Sequence, residues 1–189
     1  VEVDNTIKEI IDIVIPTKNL SELMKLITDD EGTMELHIFN NKVIFKFNSI
    51  VMMSRLINGN YPDTSKLIPT EFLLTMRVNL SDFYSSIDRA SLLTNEADKN
   101  TIKLESNGNQ IIVSSNIPEI GNVEETLNVT KNNNEEIKIA FSSKYMMDAI
   151  RSLNCNEIEL LFNGDIKPII IKDPETGNLI QLILPISTY

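Results

Sequence analysis

The chain has no tryptophan, one histidine and one cysteine among its 189 residues. A lone cysteine cannot close an internal disulfide, so Cys155 reads as a structural thiol in a reducing compartment. One histidine and one cysteine are too few for a zinc site. There is no Gly-rich phosphate loop and no Gly-x-Ser-x-Gly elbow, which removes the commonest nucleotide-binding and hydrolase signatures. No apolar run reaches the roughly 18 residues of a membrane helix. The start, Val1-Glu2-Val3-Asp4, is acidic and lacks the basic region of a secretory leader, so the expected location is cytoplasmic, away from membranes. Positive charge is scarce too: 17 Lys and Arg face 27 Asp and Glu, a net of −10. That argues against a nucleic-acid binder that is basic all over, but not against a protein acidic outside and basic along one face.

What is present is a repeat. Leu20, Leu23, Met24 and Ile27 have the i, i+3, i+4, i+7 spacing of one buried helix face. Leu80, Phe83, Tyr84 and Ile87 have it again, and so do Met146, Ala149, Ile150 and Leu153. Alternating strands follow each helix: Met34-Leu36-Ile38 and Val43-Phe45-Phe47, then Ile102-Leu104, then Ile158-Leu160-Phe162. Asn40-Asn41, Asn107-Gly108-Asn109 and Asn163-Gly164 supply hairpin turns. Strands are also expected ahead of the helices, at Ile13–Ile15, Phe72–Leu74 and Ile137–Phe141. The class is therefore α+β, built from repeated β-α-β-β-β units. The middle unit carries an extra loop, residues 91–100, which exposes Leu92 and Leu93 as core packing or as a contact surface.

No constellation points to catalysis or to a cofactor, and no catalytic or metal residue is assigned. His37 lies on the outward side of its strand. Asp29-Asp30-Glu31 lacks the spacing of an oxygen-ligand loop and reads as a solvated turn. Glu124-Glu125 and Glu135-Glu136 read as solvating charge. The outward helix faces are more informative. Lys18 and Lys25 flank Glu22, Lys144 and Arg151 flank Asp148, and Arg89 lies among Asp82 and Asp88. Two readings stay open: solubilising faces laced with i, i+4 pairs, or cations set toward phosphates.

The stretch Ser54 to Pro69, SRLINGNYPDTSKLIP, turns at Asn58-Gly59-Asn60 and is stiffened by Pro62 and Pro69. By itself it is an interdomain linker or an ordinary surface loop. Almost position by position, however, it resembles the interdomain linker of the bacterial DNA polymerase III beta subunit family, the sliding clamps. The C-terminal run Gln181 to Tyr189, QLILPISTY, is similar to that family's closing strand and tail.

The resemblance implies a clamp fold, with helices on one face and antiparallel sheets on the other. Residues 1–62 would be the second half of the middle domain and residues 63–189 the C-terminal domain. The Thr-Asp-x-His-Arg-Leu motif of the other middle-domain half is absent, so a fragment is expected. The implied role is that of a non-catalytic processivity factor encircling double-stranded DNA without reading its sequence. Lys18, Lys25, Arg89, Lys144 and Arg151 would face the DNA, although Thr17 replaces a frequent arginine. Polymerase, clamp loader and repair proteins would insert short peptides against Pro62, Lys66, Leu67, Ile166, Pro168, Leu182, Leu184, Pro185, Ile186 and Ser187, the last in place of a frequent arginine. The alternative for Leu182 and Leu184 is a plain core strand. Leu92 and Leu93 would belong to the head-to-tail interface of a homodimeric ring, which these 189 residues alone would not close. The competing readings are a generic interaction domain and a small-molecule enzyme on an α+β scaffold.

Overall fold

A computed structural model describes residues 11–27, 32–61, 63–177 and 179–187. The chain divides into two compact units, residues 1–63 and residues 64–189.

In the first unit, helix α1 (Thr17–Leu26) starts directly after Pro16, and its first turn bonds back to the Pro16 carbonyl. Three antiparallel strands follow as a meander: β1 (Met34–Ile38), β2 (Lys42–Phe47) and β3 (Ile50–Arg55). Asn40-Asn41 makes the first turn, and Asn48 makes the second in a left-handed conformation that asparagine tolerates. On β2 the inward side chains are those the alternation predicts, with Val43, Phe45 and Phe47 buried, whereas on β1 Met34 and Ile38 pack inward but Leu36, expected beside them, is 48% exposed. The helix face is only partly realised. Leu23 is buried against Val43 and Phe45, whereas Met24 is 74% exposed. Asn19 Nδ2 donates to the buried Ser54 Oγ (2.8 Å), fixing α1 to β3. The strand expected at Ile13–Ile15 is not formed. These residues are irregular, with one bond from Ile57 N–H to the Val14 carbonyl (2.8 Å).

The second unit explains that failure. Strand β4 (Leu74–Asn79) runs without a loop into α2 (Leu80–Ser91), then β5 (Thr101–Asn107), β6 (Gln110–Ile117), β7 (Gly121–Asn128) and the short β8 (Thr130–Lys131). Strand β9 (Lys138–Ser142) likewise runs straight into α3 (Ser143–Arg151), followed by β10 (Glu157–Phe162), β11 (Ile169–Lys172) and β12 (Ile180–Ile183). The sheets have the orders β12-β11-β10-β4-β8 and β7-β6-β5-β9. Each leading strand thus sits in the other copy's sheet: β4 pairs with β10 (Ile158 opposite Val78), and β9 pairs with β5 (Ile102 opposite Phe141). A leading strand needs a second copy to pair with. Among the described residues the first unit holds one copy, so Ile13–Ile15 has no second copy's sheet within it to join.

This exchange closes one core. Phe83, Ile87 and Ala90 of α2, and Met146, Ala149 and Ile150 of α3, are buried in a single cluster with residues of both sheets. Asn79 caps α2, its side chain accepting from the Asp82 N–H (3.0 Å). Two glutamates of the acidic runs do more than solvate. Glu125 is gripped through both oxygens by Arg89 (2.8 Å each). Glu136 accepts from Ser106 and from the Gly108 N–H (2.9 Å), and stands 3.2 Å from the ammonium of Lys131. The Asp29–Glu31 turn lies outside the described residues.

Candidate functional site

The site is built where the chain leaves β12. Along this strand Ile183 points into the core, so its neighbours Leu182 and Leu184 point the other way. Leu182 is opposite Ile170, which is opposite Leu161, so the strand extends an apolar row across the outer face of its sheet. Leu184 is 68% exposed, which rules it out as a core strand residue. The chain then crosses to the edge of the other sheet, where Ile186 N–H donates to the Ala140 carbonyl of β9 (2.7 Å). That bond fixes Pro185 and Ile186 beside the start of α3.

The result is a cleft of about 560 Å³, within the size range of ligand sites. Its floor and walls are Leu182, Ile183, Leu184, Pro185 and Ile186 on one side and Ser142, Lys144 and Tyr145 on the other, with Glu96, Lys99 and Asn100 on the rim. Tyr145 is 65% exposed and offers a ring to an apolar occupant. Of the residues implied by the resemblance, Leu182, Leu184, Pro185 and Ile186 come together here. Ser187 borders a neighbouring, wider cleft of about 850 Å³. Lys66, Leu67, Ile166 and Pro168 do not line the 560 Å³ cleft, although Leu67 and Ile166 are exposed. Pro62 lies outside the described residues. Tyr145 and Ser142 were missed. The available signal was a large aromatic at an outward helix position directly after Lys144.

The five helix cations differ in their surroundings. Lys18 is exposed on α1 and forms no ion pair among the described residues, whereas Lys25 pairs with Glu22 (2.8 Å). In the second unit Arg89 is held by Glu125. Each partner stabilises the other's charge: the hydrogen bond raises the arginine pKa and lowers that of the glutamate. Arg151 lies over the Tyr84 ring, 5.4 Å from its centroid, donates to its hydroxyl (2.6 and 3.0 Å) and pairs weakly with Asp148 (3.4 Å). This contact ties α3 to α2. Among the described residues Lys144 has no ion pair, and it lines the apolar cleft. The three helices carry five cations and four acids, a net of +1 within a chain of net −10, so the acidity resides elsewhere.

At the end of α2, Leu92 is 78% exposed, and Leu93 turns toward the wider cleft. On β10, burial opposes the charge of Glu159, but hydrogen bonds from Arg77 (2.8 and 2.9 Å) and the nearby Lys172 ammonium (3.2 Å) outweigh it and hold its pKa below the usual glutamate value. His37 is half-exposed and meets Glu35 (2.9 Å).

Comparison with known proteins places this geometry. Residues 65–187 match the family model of the DNA polymerase III beta subunit, C-terminal domain, and residues 1–63 that of its central domain. The chain is 43% identical over 178 residues to the beta sliding clamp of Staphylococcus epidermidis, covering 94% of this chain and 47% of that protein. Its structure is similar to the DNA polymerase sliding clamp of Bacillus subtilis, with a TM-score of 0.87 at 41% identity, covering 94% of this chain and 47% of that one. Against the beta subunit from the DNA polymerase of Streptococcus pyogenes the TM-score is 0.89 at 30% identity, covering 100% and 51%. The chain thus spans about half the length of the relatives it matches. On these matches, and with the expected α+β clamp architecture of helices backed by antiparallel sheets, the chain belongs to the DNA polymerase III beta subunit family.

Proposed function

We propose that the chain serves, as part of a sliding clamp, as a non-catalytic tether that holds DNA by enclosure and partner proteins by short apolar peptides. The observation that carries the reading is the 560 Å³ cleft: exposed Leu184 and Tyr145 face a groove whose walls are stiffened by Pro185 and pinned by the Ile186–Ala140 bond. An apolar peptide side chain seated there loses water against leucine and an aromatic ring, and the fixed walls lower the entropy cost of binding. Leu67, Lys66, Ile166, Pro168 and Ser187 form the outer reach of this docking surface, and the linker Ser54–Pro69 joins a middle-domain part ending at residue 62 to a C-terminal domain beginning at residue 63. The partners are a DNA polymerase, a clamp loader and repair proteins, in the cytoplasm.

On the DNA side, Lys18, Lys25, Lys144 and Arg151 serve as phosphate-facing cations, and Arg89 contributes less because Glu125 neutralises it. Such contacts release counterions and read no sequence, so retention depends on the ring rather than on tight binding. Leu92 and Leu93 contribute to head-to-tail closure in the full-length homodimer.

Two experiments test this. Leu184→Asp is expected to weaken binding of a peptide carrying two adjacent apolar residues by at least about ten-fold, measured by calorimetry. Unchanged affinity would reject the cleft as the docking site. In a full-length ring, Lys18→Gln with Lys25→Gln is expected to reduce the salt dependence of DNA retention by about one to two in log–log slope. An unaltered slope would remove α1 from the DNA path.

A further inference from the structure

Three Asn-Gly pairs occur in the chain: Asn58-Gly59, Asn107-Gly108 and Asn163-Gly164. In such a pair the backbone nitrogen of the glycine can reach the carbonyl carbon of the asparagine side chain, and glycine has no Cβ to screen it. All three glycines have positive φ (124°, 56° and 107°), and a Cβ at any of them would meet nothing within 4 Å. Open space therefore does not distinguish the three pairs, whereas hydrogen bonding does.

Two of the pairs are held. Asn107 closes β5 opposite Gln110 of β6, and the Gly108 N–H donates to Glu136 Oε1 (2.9 Å). A carboxylate on that N–H opposes loss of its proton, and the bonds from Ser106 and Gly108 keep Glu136 charged by holding its pKa below the usual glutamate value. Asn163 is half-buried directly after β10, and its Nδ2 donates to the Glu71 carbonyl (2.6 Å), which fixes the side chain. Asn58 and Gly59 are both exposed and have neither restraint. The last bond before them runs from the Ile57 N–H to the Val14 carbonyl (2.8 Å), and among the described residues neither Asn58 nor Gly59 makes a hydrogen bond.

We propose that Asn58-Gly59 is a site of spontaneous covalent modification, deamidation through a cyclic imide, and that the fold protects the other two pairs. The Gly59 nitrogen attacks Asn58 Cγ. The new C–N bond forms as the Cγ–Nδ2 bond breaks, and the proton lost by the glycine nitrogen departs with the amide group as ammonia. Water then opens the imide. Addition at Cγ gives aspartate. Addition at the Asn58 main-chain carbonyl carbon gives isoaspartate, in which the main chain runs through the former side chain and gains a methylene. Nothing is oxidised or reduced, and water is the co-reactant. Either product turns a neutral side chain into a carboxylate. The change falls between β3 and the end of the first unit at residue 63, where the chain passes on to the second. Neither the β1-β2-β3 sheet nor the cluster of Leu23, Val43 and Phe45 includes Asn58 or Gly59, so the connection is modified without unfolding the unit.

The test is peptide mapping by mass spectrometry of the folded 189-residue chain after incubation at mildly alkaline pH, with isoaspartate read by enzymatic methylation. Asn58 is expected to convert at least about ten-fold faster than Asn107 or Asn163, because the two held pairs react only from locally opened states. In denaturant, where nothing holds them, the three rates should converge. Glu136→Ala, which frees the Gly108 N–H, should speed conversion at Asn107 and leave Asn58 and Asn163 as they were. Asn58→Gln should remove the fast product, since the longer side chain closes its ring far more slowly. Conversion of Asn107 or Asn163 as fast as that of Asn58 in the folded chain would overturn the proposal. So would an unchanged Asn107 rate in Glu136→Ala. An advantage of Asn58 that persists undiminished in denaturant would overturn it as well, because the difference would then lie in the neighbouring residues and not in the fold.

Discussion

The two units start from the same kind of module and end with different cores. The second unit contains two modules that exchange leading strands, β4 into one sheet and β9 into the other, and it buries residues of both helices and both sheets in one cluster. The first unit contains one module, and its cluster of fully buried residues is Leu23, Val43 and Phe45. Its helix was expected to bury four apolar residues and buries one. The amphipathic pattern encodes which side chains want cover, and the number of copies within a unit decides whether they get it. The cleft proposed for peptide docking follows the same rule. It lies where the tail passes from one exchanged sheet to the edge of the other, a junction that a single module does not have.

Breaking the closed core should have the largest effect. Phe83→Ala removes a fully buried ring from the second unit and is expected to cost about 3–5 kcal/mol in denaturant unfolding. A loss below about 1 kcal/mol would show that the core is not the cooperative unit described. In the first unit, Leu23→Ala should fall near the bottom of the range for buried leucines, about 2 kcal/mol, and act locally. Hydrogen exchange should show β1, β2 and β3 losing protection while β4 and β9 keep theirs. Equal losses in both units would erase the distinction.

Glu159→Gln sharpens the comparison on the sheet's outer face, with an expected cost of about 1–3 kcal/mol. The folded-state pKa of Glu159 is depressed, so its contribution is complete above the ordinary glutamate range and is lost as pH falls through the lowered value. The variant should therefore lose stability less steeply on acidification than the unaltered chain, as followed by circular dichroism. The smallest effect expected is from Asn79→Ala, about 1 kcal/mol, through loss of the α2 cap.

Much of this was legible in the sequence because local patterns carry it. The faces of α2 and α3, the Asn40-Asn41 and Asn107-Gly108-Asn109 turns, and the inward residues of β2 follow from spacing alone. The repeat calls for a strand after the first hairpin, but the position of β3 was hidden, since Val51-Met52-Met53 reads as an apolar approach to the linker rather than as an alternating strand. The strand exchange was also hidden, because periodicity shows which side chains face inward but not which strand lies alongside. At the site, the run from Leu182 to Ile186 was legible through its resemblance to a family tail. Tyr145 and the rim of Glu96 and Lys99 were not, because they reach the cleft only after β9, α3 and the 95–100 loop are folded together. Arg89 read as lying among Asp82 and Asp88 for a similar reason: its partner Glu125 lies on a strand distant in sequence.

Methyl and aromatic NMR shift mapping during titration with a peptide carrying two adjacent apolar residues tests the account most directly. The methyls of Leu182, Leu184 and Ile186 and the ring of Tyr145 should shift together with one saturation curve, while the buried methyls of Val43 stay fixed. Shifts led by the first unit, with Leu184 and Tyr145 unmoved at saturation, would contradict it.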